Sequence, residues 1–358
     1  MTDSHNRHST VINSLRFPLI FMVILLHGYS VVQIPGDHAV YFKTVYPLSL
    51  WLGETGVPGF LFISGFLFFL SKKSYAEKLK GRFHSLLVPY LLWNGLLLLA
   101  YLSAYALGHP QDINGRNIAD FNWLDYLRLF WDRGSFDNGN FVPLLCPYWY
   151  IRNLLILSLC SPIIYMLTRY LREIYLLTIA VWWMLMPHNA FIPQSILFFS
   201  LGAYFSIHIK DPMTVFRQYA KLFIALCALL GTADIITHTL MPTPVNLQIH
   251  RMALIANIPA LFLLADFFVS RSLAQRDDSP SKSRHSKLLT NAAFIVFSIH
   301  YPIIVVMRKG CVQLFANSNN FIQVLLYLAC IVITTLLSLL FYLMLPLKLR
   351  NILSGNRS

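Results

Sequence analysis

Charge is scarce in this chain. Asp, Glu, Lys and Arg together make up 12% of its 358 residues, against roughly 25% in a soluble globular protein. The length would suit two soluble domains, but so thin a supply of charge beside 56% hydrophobic residues excludes them, and the dominance of apolar residues excludes a disordered chain as well. Cysteine is sparse too. The five residues, Cys146, Cys160, Cys227, Cys311 and Cys330, are isolated and carry no disulfide framework. Only Cys146 and Cys311 fall near one face in the topology read below, and no pairing is expected. No Cys/His spacing suggests zinc and no glycine loop suggests a nucleotide fold, so no metal is expected. Internal repeats and low-complexity segments are absent.

What the chain has in quantity is apolar sequence: 56% of residues are hydrophobic and the mean hydropathy is +0.58. A helix needs about 20 mostly apolar residues to cross the bilayer core. Ten stretches qualify: 11–34, 47–70, 85–107, 143–168, 172–187, 190–209, 216–240, 249–270, 288–308 and 321–346. The expectation is an all-α, polytopic transmembrane bundle forming a single domain over 1–358 (core 11–346), with no appended soluble domain. The first stretch has no small-residue cleavage site after it and reads as an uncleaved helix.

The net charge of +13 suits either nucleic-acid binding or membrane orientation, and the placement of the cations decides between them. Ten crossings put both termini on one side. With that side in the cytoplasm, the inner segments hold 19 Lys and Arg: Arg7; Lys72, Lys73, Lys78, Lys80 and Arg82; Arg169 and Arg172; Lys210, Arg217 and Lys221; Arg271, Arg276, Lys282, Arg284 and Lys287; Lys348, Arg350 and Arg357. The outer segments hold 6: Lys43, Arg116, Arg128, Arg133, Arg308 and Lys309. This is the positive-inside pattern. It makes the basic excess topological, so the lipid bilayer is the expected partner and nucleic acid is not. The outer connection 108–142 is polar and aromatic, and a surface helix is expected around Phe121–Trp131.

Arg16, Arg152 and Arg251 remain, within or at the edge of apolar stretches where a charge costs at least about 2.5–3.5 kcal/mol. Arg16 and His27 are eleven residues apart on the first stretch. At about 100° per residue they lie within about 20° of three full turns, on one face, separated by about 16 Å of rise. Snorkelling of Arg16 and packing of His27 are the bland readings; one shared face suggests a lined cavity.

Here the residues resemble a known family. Leu15-Arg16-Phe17-Pro18 leading to Leu26-His27, with ten residues between the Arg and the His, is similar to the first span of the bacterial membrane acyltransferase-3 family, which O-acetylates carbohydrates. Val57-Pro58-Gly59-Phe60 through Ser64-Gly65-Phe66, Lys78-Leu79-Lys80-Gly81-Arg82 before Leu87-Val88-Pro89-Tyr90, and Tyr148-Trp149-Tyr150-Ile151-Arg152-Asn153 follow in the family's order. Phe198-Phe199-Ser200-Leu201-Gly202 and Phe297-Ser298-Ile299-His300-Tyr301-Pro302 complete the register. Where the family often carries Asp, Asn13 offers only a neutral hydrogen bond to a neighbouring Arg.

The resemblance implies a multi-pass enzyme of a bacterial inner membrane. It would take an acetyl group from cytoplasmic acetyl-CoA and place it on a sugar hydroxyl of a surface polysaccharide or lipid-linked glycan. It implies catalytic roles for His27, as general base on the acceptor hydroxyl, and for Arg16; a covalent acyl-His intermediate is equally permitted. Clustered cations suit the phosphates of CoA, and Lys72, Lys73, Lys80 and Arg82 are the candidates, with plain topological charge as the alternative. Arg152, Glu54 and His300 are candidates on the acceptor side: Arg152 either steers substrate, holds a carboxylate such as Glu54 or anchors the span in an aromatic belt, and His300 is equally readable as a hydrogen-bonded packing histidine. Asp234 and His238, four apart on one helix face, either bond each other or position a hydroxyl. Arg251 reads as interfacial, and Gly53, Gly56 and Gly59 as close-packing positions. A transporter or exporter of a glycan intermediate is the alternative function, because charged residues lining a bundle also suit a translocation path. A non-catalytic assembly partner would not require a histidine and an arginine aligned on one face.

Overall fold

The computed structural model describes residues 2–32, 39–109, 112–134, 141–187, 190–209, 211–240, 243–274, 280–315 and 317–356, without the side chains of 2–8, 243, 273–274 and 280–286. The side chains of Arg7, Lys282 and Arg284, and residues Lys210, Arg276 and Arg357, therefore lie outside the described residues. In chain order the helices are α1 (Thr2–Gly28), α2 (Tyr46–Glu54), α3 (Gly56–Leu70), α4 (Tyr75–Arg82), α5 (Val88–Ala106), α6 (Trp123–Arg128), α7 (Trp149–Leu159) and α8 (Ser161–Leu185). They continue as α9 (Phe191–Tyr204), α10 (Pro212–Gln218), α11 (Ala220–Leu240), α12 (Thr243–Ala274), α13 (Pro280–Leu314), α14 (Asn320–Met344) and α15 (Leu347–Ser354). A two-residue hairpin, β1 (Asp112–Ile113) with β2 (Arg116–Asn117), is antiparallel.

Among the described residues eight helical segments are long and apolar enough to span a bilayer, or up to nine if the pair Cys146–Leu159 and Ser161–Leu185, bent by 69°, is one span. The all-α, multi-pass expectation holds at that level, but ten separate stretches do not appear. The expected fourth and fifth stretches are replaced by α7 and α8. The bend falls at Cys160 because Pro162, in the first turn of α8, has no N–H for the helical ladder. The backbone leaves helical geometry again at Arg172 (φ 49°, ψ −124°), the first residue of the expected fifth stretch.

Two other spans start earlier than their apolar sequence does, and proline explains how. Tyr41–Val45 and Phe83–Leu87 are wide turns in which the N–H of Tyr46 reaches back to Tyr41 and that of Val88 to Phe83. In each case the next residue is a proline, Pro47 or Pro89. Its ring displaces the carbonyl four residues back, so the preceding turn opens to an i→i−5 bond rather than ending the helix.

The residues gather into two compact units, Met1–Leu70 with Phe198–Met344, and Ser71–Leu197 with Leu345–Ser358. In the first unit α1 carries a buried stripe of Ile12, Leu19, Ile20, Val23 and Ile24, each at most 5% exposed. The expected small-residue packing is present against it. A Cβ on Gly56 would stand 2.7 Å from the Leu19 carbonyl oxygen, and one on Gly53 2.7 Å from Cβ of Leu26. In the second unit buried Asn94 accepts the Leu145 N–H (2.9 Å), and the Trp93 indole donates to the Leu353 carbonyl (3.0 Å), tying α5 to the outer connection and to α15. No disulfide links the five cysteines.

The outer connection of the second unit is ordered by local signals. The surface helix expected within Phe121–Trp131 is α6. Asn122 caps it by accepting from Leu124 N and Asp125 N (2.9 and 3.1 Å), while Asp125 Oδ2 accepts from Asn122 N (3.0 Å). Arg116 of β2 reaches the same carboxylate at 2.9 Å. Ile113, Ile118, Leu129 and Leu144 form the small core beneath. The Asn122 N–H first, and then Arg116, hold the Asp125 carboxyl below its ordinary range. A lowered carboxyl stabilises the fold above the unfolded pKa and loses that contribution as pH falls through the folded one. Amide exchange of residues 112–130 is therefore expected to be slower in wild type than in Asp125→Ala near neutrality. That difference should vanish once the pH drops below the ordinary carboxylate range; a difference that persists there would contradict the assignment.

Candidate functional site

The helix α1 runs without interruption from Thr2 to Gly28, so the spacing of Arg16 and His27 translates directly into one shared face. Both side chains are half-buried, on the same side as the buried stripe. His27 closes the last turn of α1, and Ser30 caps its carbonyl at 2.9 Å.

Two residues of α13 meet the His27 ring. His300 lies 5.5 Å away between ring centroids, and Tyr301 stands edge-on at 5.1 Å. His300 is completely buried, with Nδ1 2.6 Å from the Phe297 carbonyl oxygen. A carbonyl only accepts, so Nδ1 carries a proton; as a neutral imidazole His300 then has a lone pair on Nε2. That nitrogen is buried and has no hydrogen-bond partner among the described residues. The structure thus brings His27 and His300, 273 positions apart in the sequence, into one cluster in the first unit.

Beside them lies a cage of phenols. Tyr41 packs against Tyr46 and Tyr327 (6.2 and 5.6 Å), and Tyr29 against Tyr46 (5.4 Å). Gly28 makes room for it, since a Cβ there would already touch the Tyr327 ring at 3.4 Å.

Glu54, the last residue of α2, has a partner other than the one expected. Its Oε2 lies 3.0 Å from His250 Nε2, and His250 Nδ1 lies 2.7 Å from Asp234 Oδ2. Both ring nitrogens face carboxylates, the arrangement of an imidazolium held between two anions. Asn246 donates to Asp234 Oδ1 (3.1 Å). Arg251 is 0% exposed and electrostatically coupled to Glu54, so it is a buried member of this network and not an interfacial residue.

The expected Asp234–His238 pair does not form. The short Asp234 side chain turns to α12, where His250 and Asn246 wait, and the His238 ring packs on Tyr46 at 5.5 Å. Removing one member of a buried pair typically costs about 3–5 kcal/mol. His250→Leu is therefore expected to lower the melting temperature sharply, and Glu54→Gln/His250→Leu/Asp234→Asn to recover most of the loss. Equal melting of wild type and His250→Leu would refute the network.

The remaining sequence candidates lie in the second unit. Arg152 on α7 is 5% exposed. Its guanidinium donates to the carbonyls of Trp131 (2.6 Å) and Phe141 (2.8 Å) and sits 4.8 Å over the Trp131 ring. It clamps the outer connection to α7 through backbone carbonyls. Lys72, Lys73 and Lys80 are exposed around α4. The α4 N-terminus itself is occupied by Ser74 and Glu77 in a capping box. Arg82, in the last turn of α4, is half-buried, unlike the exposed lysines. Among the described residues no group of three His, Cys, Asp or Glu is placed to hold a metal ion.

Sequence reading did not single out His250 or Tyr327, and named Tyr301 only as part of the segment Phe297–Pro302. Only the packing of separate helices gives each of them its partner.

A family model described as an acyltransferase domain matches residues 10–343. The chain is similar to the succinoglycan biosynthesis protein ExoH of Rhizobium meliloti (strain 1021), 26% identical over 272 residues that cover 72% of this chain and 68% of that protein. No solved structure matches it.

Proposed function

The chain belongs to the membrane acyltransferase-3 family, matched over nearly its whole length, and from that premise we propose that this enzyme moves an acetyl group from cytoplasmic acetyl-CoA to a hydroxyl of a cell-surface glycan. The observation that carries the reading is the His27–His300 cluster on the Arg16 face of α1. The name of the similar protein, a succinoglycan biosynthesis protein, supports a polysaccharide acceptor.

In the reaction, His27 takes the proton of the acceptor hydroxyl as its oxygen attacks the thioester carbonyl. The tetrahedral oxyanion then collapses, the C–S bond breaks, and the imidazolium returns the proton to the departing thiolate. The products are the O-acetyl ester and free CoA. His300 Nε2, a buried acceptor, takes a hydrogen bond from a neighbouring hydroxyl of the acceptor sugar and so orients the reacting hydroxyl beside His27. Arg16, about 16 Å along the same face, holds the anionic part of the donor nearer the cytoplasm. The exposed Lys72, Lys73 and Lys80 attract the CoA phosphates at the cytoplasmic surface, whereas Arg82 and Arg152 are assigned to the packing of their own unit.

The test is release of CoA thiol by purified protein in detergent, with a glycan acceptor and no ion gradient. Acceptor-dependent release supports the acyltransferase reaction. A well-folded protein that neither binds nor consumes acetyl-CoA would leave the exporter reading in its place.

The proposed topology puts both termini in the cytoplasm of an inner membrane. It takes the break at Arg172 as a turn between two crossings. In a cysteine-free background, single cysteines at positions 170 and 356 are expected to react with an impermeant thiol reagent from the cytoplasmic side only. Labelling of either from the outside would overturn the arrangement.

A further inference from the structure

A groove of about 830 Å³ runs along the first unit between α1, α12 and α13. It is separate from the His27 cluster. Of its α1 lining, Thr10, Ser14, Pro18 and Met22 lie at about 100° per residue on roughly the opposite side of the helix from Arg16 and His27, and Asn13 lies at the edge toward them, about 60° from Arg16.

The lining has a polarity gradient. Thr10 and Asn13 of α1, Ser272 of α12, and Lys287, Thr290 and Asn291 of α13 converge at one end. Toward the other end the walls are Met22, Leu261, Leu264 and Phe268. From Thr10 to Met22 is 12 residues and from Leu261 to Ser272 is 11, a length of about 16–18 Å at 1.5 Å per residue. One leaflet of a bilayer core, half of about 30 Å, is about 15 Å deep. The groove therefore spans one leaflet, with its polar end where headgroups lie.

Among the described residues the charge at that end has one sign. No Asp or Glu is among the lining residues, and Lys287 is exposed there. Asp266, one residue from the lining residue Ala265, is bound at both oxygens by Arg217 (2.8 and 2.7 Å). An ammonium surrounded by hydroxyl and amide donors suits phosphate oxygens, and basic pockets between membrane helices recognise anionic headgroups.

We infer that this groove binds one anionic phospholipid, its phosphate at Lys287, Thr290 and Asn291 and an acyl chain along Leu261, Leu264 and Phe268. The site stands apart from the catalytic reading and needs no acyl-transfer activity to be tested.

The experiment is native mass spectrometry of the purified chain, delipidated and then titrated with phosphatidylglycerol or phosphatidylcholine of the same acyl chains. Wild type is expected to retain one phosphatidylglycerol at least tenfold more tightly than phosphatidylcholine. Lys287→Glu, at an exposed position, should abolish that preference without affecting the fold. Ala265→Trp, which fills the groove, should weaken phosphatidylglycerol about tenfold. Millimolar inorganic phosphate should displace nothing. Equal retention of the two lipids, an unchanged preference in Lys287→Glu, or displacement by phosphate alone would each overturn the proposal.

Discussion

His27→Ala is expected to lower acetyl transfer by about 10²–10⁴-fold, the usual contribution of a positioned general base, while acetyl-CoA binding and the melting temperature stay near wild type. The side chain is half-buried at the end of α1, so truncation leaves no large sealed cavity and the fold should tolerate it. Arg16→Ala should behave differently: weaker donor binding, with turnover partly recovered at saturating acetyl-CoA. His300→Gln retains polar atoms but not the imidazole Nε2 lone pair, and is expected to raise the acceptor concentration needed more than it lowers the maximal rate. Steady-state rates and equilibrium binding of acetyl-CoA by the purified variants measure all three. Normal turnover in His27→Ala would remove His27 from the chemistry and leave the ring cluster a packing feature.

Gly65→Val should abolish accumulation of folded protein, and Gly65→Ala should lower its melting temperature severely. A Cβ at Gly65 would stand 2.0 Å from the Phe199 carbonyl oxygen, and one at Gly202 2.1 Å from that of Phe62. Both clashes are with backbone, so no rotamer change relieves them. Helices α3 and α9 touch main chain to main chain in the way small residues permit inside membranes, and any side chain must force them apart. The expected cost is about 4–5 kcal/mol, in the exceptional class of single substitutions. Gly95→Ala is the control. Nothing lies within 4 Å of its Cβ position, and Ala inside α5 should gain roughly 0.5–1 kcal/mol. Thermal melts in detergent compare them; a Gly65→Ala protein as stable as wild type would mean that α3 and α9 do not approach so closely.

Much of this protein is legible one helix at a time. A span is recognised from the mean apolarity of about 20 neighbouring residues, and that average is a local property. Eight of the ten expected stretches accordingly reappear as long helices, most ends shifted by a few residues and the starts at Tyr41 and Tyr75 by more. The two that do not, 143–168 and 172–187, contain the backbone breaks at Cys160 and Arg172, where averaging over a window hides a single residue. The capping signal at Asn122 and Asp125 is equally local, so α6 falls within the region expected for it. The shared face of Arg16 and His27 also follows from helix periodicity, and it needed only that α1 be continuous.

Partners chosen across helices were not legible. The charge of Glu54 was visible, but its neighbour His250 lies 196 positions away, and no spacing rule joins them. Asp234 had a candidate four residues on, and the tertiary structure directed it elsewhere. Arg152 looked like a charge in search of a carboxylate, yet it satisfies backbone carbonyls that only the folded outer connection presents. The sequence by itself determined that the chain is a helical membrane protein, and that an arginine and a histidine share one face of its first span, because periodicity and hydropathy act over a few turns. Only the tertiary structure decided that His300 meets His27, that Glu54 and Asp234 share one imidazole, and that a one-leaflet groove opens on the far side of α1, because those choices depend on which helix faces pack together.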